Sequence, residues 1–211
     1  MKLCMIGTGY VGLVSGTCFA DIGNQVICVD KDIKKINKLN SGFSPIYEPG
    51  LEELIKKNFL AKRLSFTNNI KNAINSSDII FICVGTPTKK GTFDVDLSFI
   101  NQCVKEVLKY SKKRKIIVTK STVPVGTGDK IEKLLKKKRK LFTLVSNPEF
   151  LREGEAIRDF RFPDRIIIGS NEKKVFNIMK KLYSPLISKG AKFFTTSRRG
   201  AELIKYASNA F

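Results

Sequence analysis

Apolar positions in this chain come in two rhythms that alternate from the first residues onward. Residues 2–6, Lys2-Leu3-Cys4-Met5-Ile6, form a short apolar strand, and residues 10–22 carry small and apolar side chains at helical spacing. Residues 25–30 are a second strand rich in Val and Ile, and residues 33–39 a basic amphipathic helix. A Pro-containing loop over 43–49 leads to a helix over 51–58, a strand over 64–67 and a short helix over 69–75. Residues 78–84 are almost continuously apolar, which predicts a strand buried on both faces. A loop over 85–91 follows, and Asp96 is placed to cap a helix over 97–109.

The alternation continues with a strand over 115–120, a basic helix from 127 to about 138 and a strand over 142–145. After Asn147-Pro148-Glu149 the texture becomes turn-rich. Strands over 165–169 and 192–195 flank a helix over 173–183, and a last helix opens near Arg199 and runs to Phe211. Repeated strand–helix units predict an α/β fold: a doubly wound parallel sheet with helices on both faces, then a small extension. Ending inside a helix without a capping signal suggests that a C-terminal portion is absent, with an apolar face around Leu203, Ile204, Ala207 and Phe211 left exposed.

Composition narrows the classes. With 42% hydrophobic residues the chain can build a core, and its longest apolar runs fall far short of the ~20 residues that cross a bilayer, so no membrane partner is expected. The apolar N-terminus turns at once into glycines and reads as a strand rather than a signal peptide. The five cysteines, Cys4, Cys18, Cys28, Cys83 and Cys103, are odd in number, form no Cys-x-x-Cys pair and sit in apolar segments. They read as buried thiols of a reducing, cytoplasmic compartment. There is no histidine, so no metal site is expected and acid–base work falls to Lys, Glu, Asp or water. The net charge of +20 would attract polyanions, yet the basic residues are spread over many helices and do not interleave with aromatic ones. A solvated Lys-rich surface is the simpler reading, without a nucleic-acid partner; a polyanion-binding protein is the alternative from a different class.

The chemistry starts at Gly7-Thr8-Gly9-Tyr10-Val11-Gly12, a G-x-G-x-x-G after a strand and at the opening of a helix, followed by a second strand ending in Asp30. Gly7 permits a tight turn, Gly9 a close approach of backbone to a pyrophosphate, and Gly12 close helix–strand packing. The helix N-terminus offers free N–H groups to phosphate. A carboxylate at Asp30 suits a ribose 2′-OH and repels a 2′-phosphate, so NAD is expected over NADP, with Lys31 and Lys35 as the partial counterweight.

This opening resembles that of the UDP-glucose/GDP-mannose dehydrogenase family, and five later segments resemble it in the same order. They are Val84-Gly85-Thr86-Pro87, Ser121-Thr122-Val123-Pro124-Val125-Gly126-Thr127, Asn147-Pro148-Glu149-Phe150-Leu151-Arg152-Glu153-Gly154, Pro163-Asp164-Arg165-Ile166-Ile167-Ile168-Gly169 and Ala201 to Phe211. The resemblance implies an NAD-binding Rossmann-type domain over 1–197 and, over 198–211, the start of the central helix and dimerisation domain. It implies oxidation of a nucleotide-sugar alcohol to the carboxylate with two NAD, and a homodimer for a full-length protein. The Phe162-Pro163-Asp164-Arg165-Ile166 stretch resembles the members acting on UDP-glucose, which make UDP-glucuronate for polysaccharide biosynthesis.

Residue by residue, the resemblance places Gly7, Gly9, Tyr10, Val11, Gly12, Asp30 and Lys35 at the cofactor, with Val11, Asp30 and Lys35 on its adenosine half. Thr86, Ser121 and Thr122 lie near the pyrophosphate and nicotinamide, and Thr122 also helps to place a catalytic water. Glu149 is the acid–base residue. Phe150, Leu151 and Arg152 line the sugar-nucleotide pocket, and Glu153 touches both ligands. Lys205 and Asn209, four apart on one helix face, attend the reacting centre. The family's catalytic cysteine lies beyond the central helix, and none of the five cysteines here stands in such a motif.

Taken without the resemblance, Glu149 and Glu153 read equally as helix N-terminal charges and Lys205 as a surface lysine. A dehydrogenase of another nucleotide sugar, such as GDP-mannose or UDP-N-acetylmannosamine, and a non-catalytic NAD-binding fragment are the neighbouring alternatives.

Overall fold

A computed structural model describes residues 1–210; Phe211 lies outside the described residues, as do the side chains of Lys137 and Arg139. The chain folds into β1 (Lys2–Ile6), α1 (Tyr10–Asp21), β2 (Gln25–Val29), α2 (Ile33–Asn40), α3 (Leu51–Leu60), β3 (Leu64–Thr67), α4 (Ile70–Ser76) and β4 (Ile79–Ile82). It continues with α5 (Ser98–Tyr110), β5 (Lys115–Thr119), α6 (Thr127–Leu134), a 3₁₀ segment (Lys136–Leu141) and β6 (Phe142–Ser146). The last part holds α7 (Ala156–Arg161), β7 (Arg165–Gly169), α8 (Lys173–Leu182), α9 (Ser184–Ile187), β8 (Lys192–Thr196) and α10 (Arg198–Ala210).

Eight strands make one sheet in the order β3-β2-β1-β4-β5-β6-β7-β8. The first six are parallel. Each strand alternates its faces: Leu3 and Met5 enter the core on one side of the sheet, and Cys4 and Ile6 the core on the other. On the first side Phe19 of α1 packs against Phe81, Phe160 and Tyr183, with ring centroids 5.2, 4.9 and 5.4 Å away. On the second, α4, α5 and α6 contribute Ile74, Ile100, Val104, Val107 and Ile131. Asp32 caps α2 by accepting the Lys34 and Lys35 amides, and Asp96 accepts the Ser98 amide at the start of α5.

The sheet departs from the all-parallel expectation at its end. β7 is antiparallel to β6, and β8 runs parallel to β7. The connection from β6 to β7 contains only the six-residue α7, about 9 Å long at helical rise. The connection is no shorter than the parallel one from β3 to β4, which carries only the seven-residue α4, so helix length does not set the direction. After α7 the chain re-enters the sheet from the end it has just left. The β6–β7 ladder is the single pair Ser146–Gly169, and side chains stitch the join: Asn147 Nδ2 donates to the Ile167 carbonyl at 3.0 Å and Ser170 Oγ to the Leu144 carbonyl at 2.9 Å. The basic helix expected to reach 138 stops at Leu134 and gives way to the 3₁₀ segment, inside which Lys138 leaves helical geometry.

On α10 the expected apolar face is only partly exposed: Leu203 and Ala207 are exposed, Ile204 half-buried. Its buried face is Arg198, Ala201, Glu202 and Lys205, three of them charged. No helix among the described residues is long and apolar enough to cross a membrane.

Candidate functional site

The strand order reverses between β1 and β4, and in open α/β sheets ligands bind outside the carboxyl ends of strands at such a point. There the Gly7 amide bonds the Val29 carbonyl at 2.8 Å, closing the turn from β1 into α1. Gly7 has φ +100°, and a Cβ on it would lie 2.8 Å from the Cys83 carbonyl oxygen. A Cβ on Gly12 would meet the Gly7 oxygen at 2.0 Å, so these two glycines are demanded by the fold itself. Gly9 is different. A Cβ there would meet nothing within 4 Å, and Gly9 starts α1 with no side-chain cap. The space beside Gly9 at the N-terminus of α1 is therefore open and uncapped, which fits a pyrophosphate.

Beside that opening Asp30 accepts the Thr8 amide at 2.9 Å, the Thr8 hydroxyl at 2.7 Å and the Asp32 amide at 3.0 Å. Burial alone would raise its pKa, but these donors and the Lys35 charge hold it below the ordinary carboxylate range. Asp30 is thus a fixed, ionised acceptor at the end of β2. Lys35 is half-buried on α2, and Val11 half-buried on α1. The Tyr10 side chain turns away: its hydroxyl donates to Glu48 and accepts the Gly154 amide at 2.7 Å, leaving its backbone at the start of α1 for a ligand. Thr86 and Ser121 tie the two strand-end loops together, Thr86 Oγ1 to the Thr122 carbonyl at 2.8 Å and Ser121 Oγ to the Val84 carbonyl at 2.6 Å.

The second half of the site adjoins a cavity of about 250 Å³ at the ends of β5, β6 and β7. Lys205 Nζ lies 3.2 Å from Glu149 Oε1, with both side chains about nine-tenths buried. Glu149 also accepts the Leu151 amide at 2.7 Å. The Phe150 ring has the Arg165 guanidinium 4.6 Å and the Lys205 ammonium 5.4 Å from its centroid. Lys205 is therefore no surface lysine, and Glu149 precedes α7 by seven residues rather than opening it. Arg152 is exposed and held by Asp159, with contacts of 2.7 and 3.1 Å, and by Glu155 at 2.8 Å. Glu153 and Asn209 are exposed, and their side chains have no hydrogen bond among the described residues.

Sequence reasoning missed three buried groups here. Lys120, at the end of β5, lines the cavity with its Nζ 3.5 Å from Asn147 Oδ1; burial pushes its pKa below the usual lysine value. Asn147 also accepts the Tyr183 hydroxyl at 2.5 Å. Glu48, in the loop before α3, accepts the Gly154 and Ile157 amides at 2.9 and 3.1 Å and so fixes the loop that carries Glu149 to Glu153. A charged residue closing an apolar strand, as in Ile116-Ile117-Val118-Thr119-Lys120, was the available signal for Lys120. All five thiols are buried. Burial pushes Cys18 and Cys83 up to about 12, Cys103 to about 11, and raises Cys4 and Cys28 as well. Among the described residues no group of His, Cys, Asp and Glu is arranged to hold a metal ion.

A glycine loop closing on a helix N-terminus, a fixed carboxylate at the end of the second strand and the 3-2-1-4-5-6 strand order define a dinucleotide-binding domain of the Rossmann class. Residues 1–187 match the family described as the UDP-glucose/GDP-mannose dehydrogenase family, NAD binding domain, and the chain belongs to that family. Its cofactor is NAD. Over its whole length the chain is 49% identical to a UDP-glucose 6-dehydrogenase of Rhizobium meliloti, covering 49% of that protein. It is 50% identical to the UDP-glucose 6-dehydrogenase TuaD of Bacillus subtilis, covering 45%. Among solved structures, a GDP-mannose dehydrogenase of Pseudomonas aeruginosa superposes with TM-score 0.92 at 38% identity, over all of this chain and 49% of that one. A UDP-glucose dehydrogenase of Pyrobaculum islandicum gives TM-score 0.93 at 35% identity, over 99% and 49%. The chain spans about half the length of the relatives it matches.

Proposed function

We propose that this chain provides the NAD site and one wall of the sugar-nucleotide site for the oxidation of UDP-glucose to UDP-glucuronate. The observation that carries this is the buried Lys205–Glu149 pair beside a cavity next to the strand ends that form the cofactor opening. The sugar is taken as UDP-glucose because the relatives at 49% and 50% identity bear that name. GDP-mannose is the second reading, favoured by the 38% identity to a GDP-mannose dehydrogenase of known structure against 35% to the UDP-glucose dehydrogenase.

Asp30 accepts the ribose hydroxyls, Val11 and Lys35 flank the adenosine, and the Gly9 opening takes the pyrophosphate. Thr86, Ser121, Thr122 and Glu153 border the nicotinamide half. NAD, when bound, supplies a hydride acceptor. Lys205, a nearby ammonium, stabilises the negative charge that develops on the sugar C6 oxygen as its proton passes to water, with Asn209 beside it. Glu149 takes a proton from the water, held by Thr122, that attacks at the second oxidation level. Phe150, Leu151 and Arg152 form the sugar-nucleotide wall.

In this reading residues 1–197 are the NAD domain and 198–211 begin a helix that, in a longer chain, joins two copies in a cytoplasmic homodimer. The five buried, raised thiols do not supply a nucleophile for the aldehyde, so the 211-residue chain binds NAD but does not complete the reaction. An NADH assay with UDP-glucose tests this: release of two NADH per sugar by the chain alone would overturn it.

A further inference from the structure

The buried face of α10 holds a carboxylate with no part in the chemistry above. Glu202 is 4% exposed. Its Oε2 accepts the Gly126 amide at 2.7 Å and its Oε1 the Gly128 amide at 2.8 Å. Gly126 is the N-cap of α6 and has no side chain to cap it. The N-cap amide of Gly126 and the first-turn amide of Gly128, which lack intrahelical partners, are thus satisfied by a residue 76 and 74 positions later in the chain. Gly128 must be small for this: a Cβ there would lie 3.1 Å from Glu202 Oε1 and 3.2 Å from Arg198 Nε. Arg198 reinforces the contact, bonding Asp129 at 3.0 Å and Glu132 on the same helix.

Two sites meet at this contact. Upstream of Gly126 runs the loop with Ser121 and Thr122, tightened by Thr127 Oγ1 donating to the Pro124 carbonyl at 2.6 Å. Three residues beyond Glu202, on the same helix surface, is Lys205. We propose that Glu202 is a positioning residue: its carboxylate couples the helix bearing Lys205 to the loop 121–126, so that ordering of that loop by NAD also sets the position of Lys205. The coupling rests on the reading that this loop borders the cofactor and that Lys205 serves the sugar. The competing account is that α10 is placed by β7 alone, where Ala201 packs so closely that a Cβ on Gly169 would lie 2.6 Å from its own.

Amide hydrogen exchange on the 211-residue chain separates the two. Without nucleotide, Glu202→Ala should speed exchange at Gly126 and Gly128 and, together with them, along residues 203–208, each by roughly five- to tenfold, the scale of a lost helix cap. Glu202→Gln keeps one acceptor oxygen and should give an intermediate change; it carries the comparison alone if the alanine variant does not fold. With saturating NAD, exchange should slow in both the loop and α10 of the unaltered chain, but only in the loop of the variants. Faster exchange confined to Gly126 and Gly128 overturns the proposal, and so does NAD-dependent slowing of α10 that survives in the variants. If NAD leaves the loop of the unaltered chain untouched while slowing the Gly7–Gly12 turn, the cofactor-bordering reading of the loop fails, and the nucleotide-free comparison still decides the contact.

Discussion

Two regions along the sheet build their halves of the candidate site from different materials. Around β1 the candidate cofactor surface is mostly main chain: an uncapped α1 N-terminus, glycines in place of side chains, and one carboxylate fixed by three donors. Around β6 and β7 it is a side-chain network of Glu149, Lys205, Phe150, Arg165, Lys120 and Asn147, joined by a strand pair with a single ladder position. A main-chain site tolerates almost any neighbour but fails when a Cβ is added. A side-chain site tolerates shifts of backbone but fails when one charge is removed.

The sharpest test of that contrast is a pair of glycine substitutions. Gly12→Ala puts a Cβ 2.0 Å from the Gly7 carbonyl oxygen, so the turn must move. We expect NAD affinity to fall by roughly 10²-fold, the usual consequence of a displacement near 1 Å, together with a lowered melting temperature. Gly9→Ala adds its Cβ to open space and should leave melting unchanged while weakening NAD by about tenfold, the scale of one lost charge-assisted hydrogen bond. Equal effects from the two variants would show that Gly9 has no ligand-facing role.

On the other side, Lys205→Met strands a nearly buried Glu149 carboxylate and should destabilise the chain by about 2–3 kcal/mol, read by chemical denaturation, with NAD affinity essentially unchanged. In a longer chain carrying the second half, the same change should slow turnover by roughly 10²-fold. Full stability of the Lys205→Met chain would mean that the ion pair is incidental.

Smaller effects come from the carboxylates. For Asp21, burial works against ionisation, but Lys57, Arg161 and Asn58 outweigh it and hold the group below its ordinary pKa. The same direction applies to Asp30. Groups depressed in the folded state stabilise it above the unfolded value, about 3.9, and lose that contribution as pH falls through the folded one. Glu202, raised by burial, acts in the opposite sense: its contribution is present below the ordinary glutamate value and is lost as pH rises through the raised one. Denaturation from pH 6 down to about 3 should therefore show falling stability near and below pH 4. Asp21→Asn should flatten part of that fall, and an unaltered slope would contradict the assignment. Smallest of all, a thiol reagent at neutral pH should leave the five cysteines of the native chain unlabelled, and rapid labelling of any one would show that its burial is breached.

What the amino-acid sequence revealed divides along the same line. The parallel core and the glycine turn were legible because strand–helix alternation and Gly7-Thr8-Gly9-Tyr10-Val11-Gly12 specify backbone directly. The reversal at β7 was not, because the connection over 147–164 is as long as the parallel one over 7–24 and nothing local in it marks the direction of re-entry. Lys205 and Glu149 were legible only through resemblance, being 56 residues apart with nothing local to link them. Glu48 and Glu202 lay among ordinary loop and helix residues; apart from the Tyr10 hydroxyl on Glu48, their hydrogen-bond donors are backbone amides, which leave no mark on sequence.

Asp30 and the Gly7–Gly12 turn are proposed to make the NAD site of this chain. Calorimetric titration with NAD and NADP tests this claim most directly. NAD should bind more tightly than NADP, and Asp30→Ala should narrow the gap, because the carboxylate both accepts the ribose hydroxyl and repels a 2′-phosphate. Equal or tighter NADP binding by the unaltered chain would contradict the claim and assign the nucleotide choice to Lys31 and Lys35 instead.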